Sequence, residues 1–240
     1  MNCNNNKETT RTAFHNSEGP MNITLRDFND QAFSFHDDPV LVIENFWTEA
    51  ERKAIRDGMD RTKWMSLKEM PQVSRDFPNC GNWKKGEIAQ AEAGLFLQRL
   101  SLSCIMRYME SFPDIVGRHM NFNYYSYGAG DALLTHDDTV QQSLAAGTQK
   151  PPLRRIAVVA YVHEEWQPDW GGELIIYSSS APQPSAHQPR DLSVTHCILP
   201  KPGSLVLFTV PRFHRVCRVD HVCGDRARLS IGGWFMTQHT

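Results

Sequence analysis

The chain has 240 residues, 40% of them hydrophobic and 22% charged, a globular balance that excludes a wholly disordered or fibrous polypeptide. Lys and Arg number 25 against 27 Asp and Glu, a net charge of −2, so no basic surplus is available to follow a nucleic-acid backbone. The longest purely apolar run, Ile156 to Val162, falls far short of the roughly 20 residues a membrane-spanning helix needs.

Residues 1–20 contain no apolar stretch of the kind a secretory signal requires and read as a disordered, solvated tail. The six cysteines (Cys3, Cys80, Cys104, Cys197, Cys217 and Cys223) are irregularly spaced, with no CxxC pair. Reduced thiols in a cytoplasmic protein are the expectation.

Pro39 to Phe46 is a short apolar, β-branched stretch and predicts a buried strand. Thr48 and Glu51 have capping-box spacing, which predicts a helix running to about Met59. Trp64 to Gly86 is punctuated by Pro71, Pro78 and Gly81 and reads as irregular. Ala91 to Phe112 predicts one long helix. Phe96, Leu100, Cys104, Tyr108 and Phe112 recur every fourth residue, and Pro113 marks its end.

Beyond residue 119 the pattern changes to eight short strands separated by turn signals. They are Asn121–Tyr127, Ala132–Asp138, Arg154–Val162, Glu173–Tyr177, Leu192–Leu199, Ser204–Val210, His214–Val219 and Ala227–Met236. Such a run without helices predicts a β-sandwich or jelly roll. The expected organisation is a tail over 1–20, an α-helical support region over 21–118 and a β core over 119–240.

Three positions carry chemistry. In a strand, residues i and i+2 share a face, so His136 and Asp138 can point inward together while Asp137 points away. By itself this triplet reads equally as two polar residues at a strand end. His214 opens a second strand. Two imidazoles and one carboxylate leave three positions open on a metal and suit non-haem Fe(II), although zinc accepts the same groups. Arg228, Ser230 and Trp234 fall on one face of the last strand, with Leu229, Ile231 and Phe235 on the other. An inward guanidinium requires an anion, either an internal Asp or Glu or the carboxylate of a ligand.

These motifs together resemble the Fe(II)/2-oxoglutarate-dependent dioxygenases, in particular their prolyl-4-hydroxylase-like branch. Tyr127-Gly-Ala-Gly130 with His136-x-Asp138, Arg155 to Trp166, Gly171-Gly-Glu-Leu174, Pro202 to Phe208, His214-Arg-Val216 and Arg228-x-Ser230 with Trp234 follow the family's order. The likeness covers roughly residues 120–237, with a fainter stretch at 38–60.

The resemblance implies a mainly β fold with packed helices around a double-stranded β-helix (jelly-roll, cupin-like) core. It implies Fe(II) held by His136, Asp138 and His214. It further implies Arg228 pairing with the distal carboxylate of 2-oxoglutarate, with Tyr161, Tyr127 or Ser230 as a second contact. Dioxygen is the co-reactant and ascorbate an optional reductant. The implied reaction is hydroxylation of an unactivated C–H bond, with succinate and carbon dioxide released. Related halogenases lack the carboxylate that Asp138 supplies; desaturation or ring closure needs the same ligands as hydroxylation. The expected partner is an amino acid, small metabolite or prolyl peptide. Nucleic acid and membrane are not expected, and a homodimer is left open. A non-catalytic jelly-roll module is the alternative. His221 is a rival to His214, Arg226 a rival to Arg228, Trp166 and Trp170 are candidates for the entrance, and Asn79 to Lys85 is a candidate lid.

Overall fold

The computed structural model describes residues 40–112, 115–139, 153–179 and 192–237, with short strands at 15–16, 19–20 and 22–26. Most of the expected tail over 1–20 lies outside the described residues. Two antiparallel sheets carry the fold. Its first strands, β1 (His15–Asn16) and β2 (Gly19–Pro20), pair only with each other, and β3 (Asn22–Arg26) lies at one edge of the large sheet. Next come β4 (Val40–Glu44), α1 (Glu49–Arg61), β5 (Trp64–Ser66), α2 (Pro71–Asp76) and β6 (Lys84–Glu87). They are followed by α3 (Gln90–Leu100), α4 (Ser103–Glu110), β7 (Ile115–Tyr127), β8 (Leu133–His136) and β9 (Leu153–Tyr161). The last five are β10 (Leu174–Ser179), β11 (Leu192–Ile198), β12 (Leu205–Thr209), β13 (His214–Val216) and β14 (Arg228–Thr237).

The large sheet has the order β3-β4-β12-β9-β14-β7-β6-β5, and the small one β11-β10-β13-β8. This is a double-stranded β-helix, closed on one side by helices. All eight strands expected beyond residue 119 form, with ends shifted by a few residues. No described helix is long and apolar enough to cross a membrane.

Strand alternation divides the core cleanly. Leu205 and Leu207 of β12, Val158 and Ala160 of β9, and Ile231 of β14 face the helices. There they meet Ile55 and Met59 of α1, Phe96 of α3, and Ile105 and Tyr108 of α4. Val206 and Phe208, one residue out of phase, face the small sheet and pack with Tyr161, Leu174 and Ile176. Burying such side chains stabilises the fold by about 1.5–3 kcal/mol each.

The helices depart from expectation in one place. The single helix over Ala91–Phe112 is two helices, interrupted at Ser101-Leu102. Ser101 turns its hydroxyl back onto the Leu97 carbonyl, a competing bond of the kind that disfavours serine inside a helix. The Phe96–Tyr108 stripe survives the break and reaches the same core. The capping box of α1 forms as expected, with the Thr48 hydroxyl accepting from the Glu51 N–H and Glu51 accepting from the Thr48 N–H.

Region 21–118 is helical only in part. It also supplies β3, β4, β5 and β6 to the large sheet, and the boundary expected at 119 falls inside β7. The polar stretch Lys84–Glu87 carries no strand signal of its own. It is a strand because β7 offers it an edge.

Candidate active site

His136 and His214 lie directly opposite each other on β8 and β13. Their rings are 4.2 Å apart between centroids. The Nδ1 of His136 is 2.7 Å from the Leu134 carbonyl, and that of His214 is 2.7 Å from the Arg212 carbonyl. A carbonyl can only accept, so Nδ1 carries a proton and Nε2 is the nitrogen turned toward the cluster, available to a metal once any proton it shares with Asp138 is displaced. Both Nε2 atoms point at Asp138, at 3.3 Å for His136 and 3.4 Å for His214. Donor atoms of the three residues all lie within 4.8 Å of one another.

Asp138 reaches this position by a route that alternation does not describe. β8 ends at His136, and Asp138 sits at φ 63°, in the left-handed region where Asp is one of the few tolerated residues. The carboxylate is thus folded back onto the two imidazoles by a turn. Trp234 of β14 donates its indole N–H to Asp138 Oδ2 at 2.7 Å.

Electrostatics hold this cluster ready for a cation. Burial alone would raise the Asp138 carboxyl, but the two imidazoles together bring it well below its ordinary range. Burial would likewise lower His214, and the Asp138 charge outweighs it, so its imidazole is raised. A carboxylate kept ionised between two imidazoles is the donor set of a divalent-metal site with open positions.

Deeper along the inner face of β14 lies Arg228, only 2% exposed. It donates from Nη2 to the Tyr161 hydroxyl at 3.1 Å, and its Cζ lies 4.8 Å and 5.4 Å from the rings of Tyr161 and Tyr127. Its buried Nε has no hydrogen-bond partner. Among the described residues no carboxylate forms an ion pair with it, so the internal salt bridge is not the explanation for this guanidinium. A buried, unpaired cation with an orphaned donor fits the carboxylate of a bound molecule. Gly172, at φ 72°, makes room for it: a Cβ there would stand 3.0 Å from Arg228 Cδ.

Ser230 is also buried and faces the same side, paired across the sheet with Tyr161 and Tyr125. The sequence reading missed Tyr125. It lies two residues before Tyr127, hence on the same face, and burial followed by the Asp138 charge pushes its phenol upward. That period-two relation was the available signal.

The rivals are placed elsewhere. His221 is exposed beside Gly130, outside the metal cluster. Arg226 is exposed and pairs with Glu165 at 2.6 Å. Trp166 donates to the Gly171 carbonyl and packs edge-on against Trp170, so the pair buttresses the turn beside Arg228. Asn79 to Lys85 is a wall. The Asn82 N–H donates to Asp131, the Cys80 carbonyl accepts from Ala132, Trp83 is buried, and Lys84 onward is β6.

Comparison with known proteins fits this geometry. Residues 121–236 match the 2OG-Fe(II) oxygenase superfamily. That stretch, just under half of the chain, is similar to a superfamily whose cofactors are Fe(II) and 2-oxoglutarate, and the likeness is to its prolyl-hydroxylase branch. The prolyl 3-hydroxylase OGFOD1 of Mus musculus is 33% identical over 111 residues, 45% of this chain and 17% of that protein. Its Xenopus laevis counterpart is 32% identical over 111 residues. The chain therefore spans less than a fifth of the length of these curated relatives. A Trichoplax adhaerens prolyl hydroxylase, solved with a hypoxia-inducible-factor peptide fragment, superposes with a TM-score of 0.54 at 17% identity. The likeness covers 82% of this chain and 83% of that one. HygX of Streptomyces hygroscopicus, solved with nickel, 2-oxoglutarate and hygromycin B, gives 0.53 at 14% identity, with 82% of each chain covered. At such identities the likeness concerns the fold.

The donor set fits the superfamily's metal and the orphaned Arg228 fits its dicarboxylate cosubstrate.

Proposed function

We propose that the chain is an Fe(II)- and 2-oxoglutarate-dependent dioxygenase that hydroxylates an unactivated C–H bond of an amino acid, small metabolite or prolyl peptide. The observation that carries this reading is the pairing of two incomplete groups between the two sheets, one from each. One is a His136–Asp138–His214 donor cluster without protein donors for a full coordination sphere. The other is a buried Arg228 that makes no ion pair among the described residues. In this reading His136 and His214 ligate through Nε2 and Asp138 through its carboxylate. Arg228 and Tyr161 hold the distal carboxylate of 2-oxoglutarate, with Tyr127 and Ser230 shaping the walls around it.

Bound iron with its cosubstrate supplies the oxidising power, coupled to release of succinate and carbon dioxide. The protein's own residues do the rest. The carbonyls of Leu134 and Arg212 fix the imidazole tautomers. Trp234 fixes the Asp138 carboxylate. Apolar walls from Phe77, against His136, and Phe208, against His214, limit water beside the metal ligands. A cytoplasmic location is part of the proposal, supported by the free thiols of Cys80, Cys104, Cys197, Cys217 and Cys223.

The test is anaerobic titration of the Fe(II)-loaded protein with 2-oxoglutarate, followed by the weak visible charge-transfer band of the chelate. The band is expected in the wild type and absent in His214→Ala. Retention of the band in His214→Ala would refute the ligand assignment.

A further inference from the structure

Arg154 reaches the metal-ligand cluster from its outer side, and Lys85 stands close enough to Arg154 to feel its charge; neither is among the metal-ligand donors or the contacts of Arg228. Arg154 is the second residue of β9, and a β-bulge aims it. Ile156 pairs with Phe235 and Arg154 with Met236, so Arg155 is the extra residue. Arg155 turns to the helix side, over the Phe112 ring, and Arg154 turns to the site. Its guanidinium lies flat on Trp234, with Cζ 3.6 Å from the ring centroid. It forms an ion pair with Asp138 Oδ1 at 3.7 Å, too long for a hydrogen bond, and its Nη1 donates to the Asp138 backbone carbonyl at 3.3 Å; the Asp138 carboxylate is otherwise engaged by Trp234 and both imidazoles. The Arg154 side chain is 27% exposed, so a ligand can reach it.

Lys85 of β6 is the second cation. It pairs across the sheet with Tyr125, which pairs in turn with Ser230, so the three share the face that looks at the site. Lys85 is half-buried and makes no ion pair among the described residues. Burial, followed by the neighbouring Arg154 charge, pulls its ammonium below the ordinary range, against the opposing charge of exposed Glu87. Two partly desolvated like charges facing one space are costly unless an anion joins them.

We propose that Lys85 and Arg154 form a receptor for a carboxylate on the substrate, making the prime substrate of this site an anionic amino acid or acidic peptide rather than a neutral molecule. The proposal rests on the dioxygenase reading and sharpens it. The guanidinium, held flat on Trp234, presents its donor fork, and the ammonium closes the carboxylate from the β6 side. The receptor lies beside the metal ligands, so the bound carboxylate fixes which C–H bond of the substrate faces the oxidant.

The test uses the Fe(II)- and 2-oxoglutarate-loaded protein without oxygen, titrated calorimetrically with matched pairs. One arm sets the free amino acids, proline included, against their primary amides. The other sets blocked Pro-containing peptides with Asp against the same peptides with Asn. The expected result is at least one pair in which the acid binds about 10-fold tighter or more, as a lost charged hydrogen bond implies. That preference shrinks to under about threefold in Lys85→Met and Arg154→Met and returns in Lys85→Arg. The arm that shows it identifies the carboxylate as a free α-carboxylate or an acidic side chain. No acid preference in any pair, or a preference that survives both Met substitutions, overturns the proposal. So does a 10-fold weaker 2-oxoglutarate response in Lys85→Met, which would assign the lysine to the cosubstrate. These outcomes are read only where the charge-transfer band forms. A wild-type protein without the band sinks the dioxygenase reading instead.

Discussion

Trp234 donates its indole N–H to Asp138 across 2.7 Å, linking the last strand of the chain to a carboxylate on the turn that follows β8. The bond matters because Asp138 stands outside any strand, at φ 63°, and has no regular backbone pairing to hold it. Trp234→Phe keeps the ring under Arg154 and removes only the donor. The expected outcome is a 10–100-fold loss of metal affinity, typical of an outer-shell partner, with the urea midpoint nearly unchanged. Fe(II) or Co(II) titration measures it. Undiminished affinity would mean that the two imidazoles alone orient the carboxylate.

Arg228 and Tyr161 separate cosubstrate binding from metal binding. Arg228→Ala removes a charged donor from a buried carboxylate, an interaction worth roughly 1.5–3 kcal/mol, so half-saturation by 2-oxoglutarate should rise about 10-fold or more. Tyr161→Phe removes one hydroxyl hydrogen bond to that charged carboxylate and should cost about 1.5 kcal/mol, roughly a 10-fold rise. Metal affinity measured without cosubstrate should stay within a few-fold of wild type in both. An unchanged 2-oxoglutarate response in Arg228→Ala would contradict the assignment of the deep cation.

The same residues show what a sequence reading can and cannot reach. The eight strands were legible because apolar, β-branched runs sit between turn signals, and because Leu229, Ile231 and Phe235 alternate with Arg228, Ser230 and Trp234 just as one helix-facing and one inward face require. His136, Asp138 and His214 were legible as residue types in a familiar order. Yet Asp138 joins His136 by a left-handed turn and not by the strand alternation expected of it. Arg154 was hidden for a related reason. Strict alternation groups it with helix-facing Ile156, and only the bulge at Arg155 reverses it. Bulges and the pairing of Lys84–Glu87 depend on the neighbouring strand, which one segment does not encode.

Gly172 gives a third test, in which backbone and site are coupled. At φ 72° a Cβ is strained, and it would also stand 3.0 Å from Arg228 Cδ and 3.4 Å from Trp166. Gly172→Ala should therefore destabilise the protein by about 1–3 kcal/mol in urea unfolding. It should also weaken 2-oxoglutarate binding, because the guanidinium gives way most easily. Loss of stability with an unaltered cosubstrate response would show that Arg228 does not move.

His163 sets the acid limit of the fold. Its ring is 2% exposed, wedged between the Pro200 carbonyl at 2.7 Å and the Leu229 carbonyl at 3.2 Å, and its backbone carbonyl accepts from Arg52 of α1. Burial is the main cause that lowers its pKa from 6.5 to about 4; the Pro200 and Leu229 carbonyls oppose it, and the Arg228 and Arg52 charges add to it. The folded protein thus holds His163 neutral in a pH range where the unfolded chain takes up the proton. Stability is complete above pH 6.5 and is lost as the pH falls toward about 4. Between pH 7 and pH 5 this one group should remove about 2 kcal/mol. His163→Gln cannot titrate and keeps a donor for the Pro200 carbonyl. Its stability should therefore fall by about 2 kcal/mol less than that of wild type over the same interval, whatever the other histidines contribute to both. Urea unfolding of the two proteins at both pH values supplies the comparison, and equal losses would show that His163 is already protonated in the fold or that another group governs its acid sensitivity.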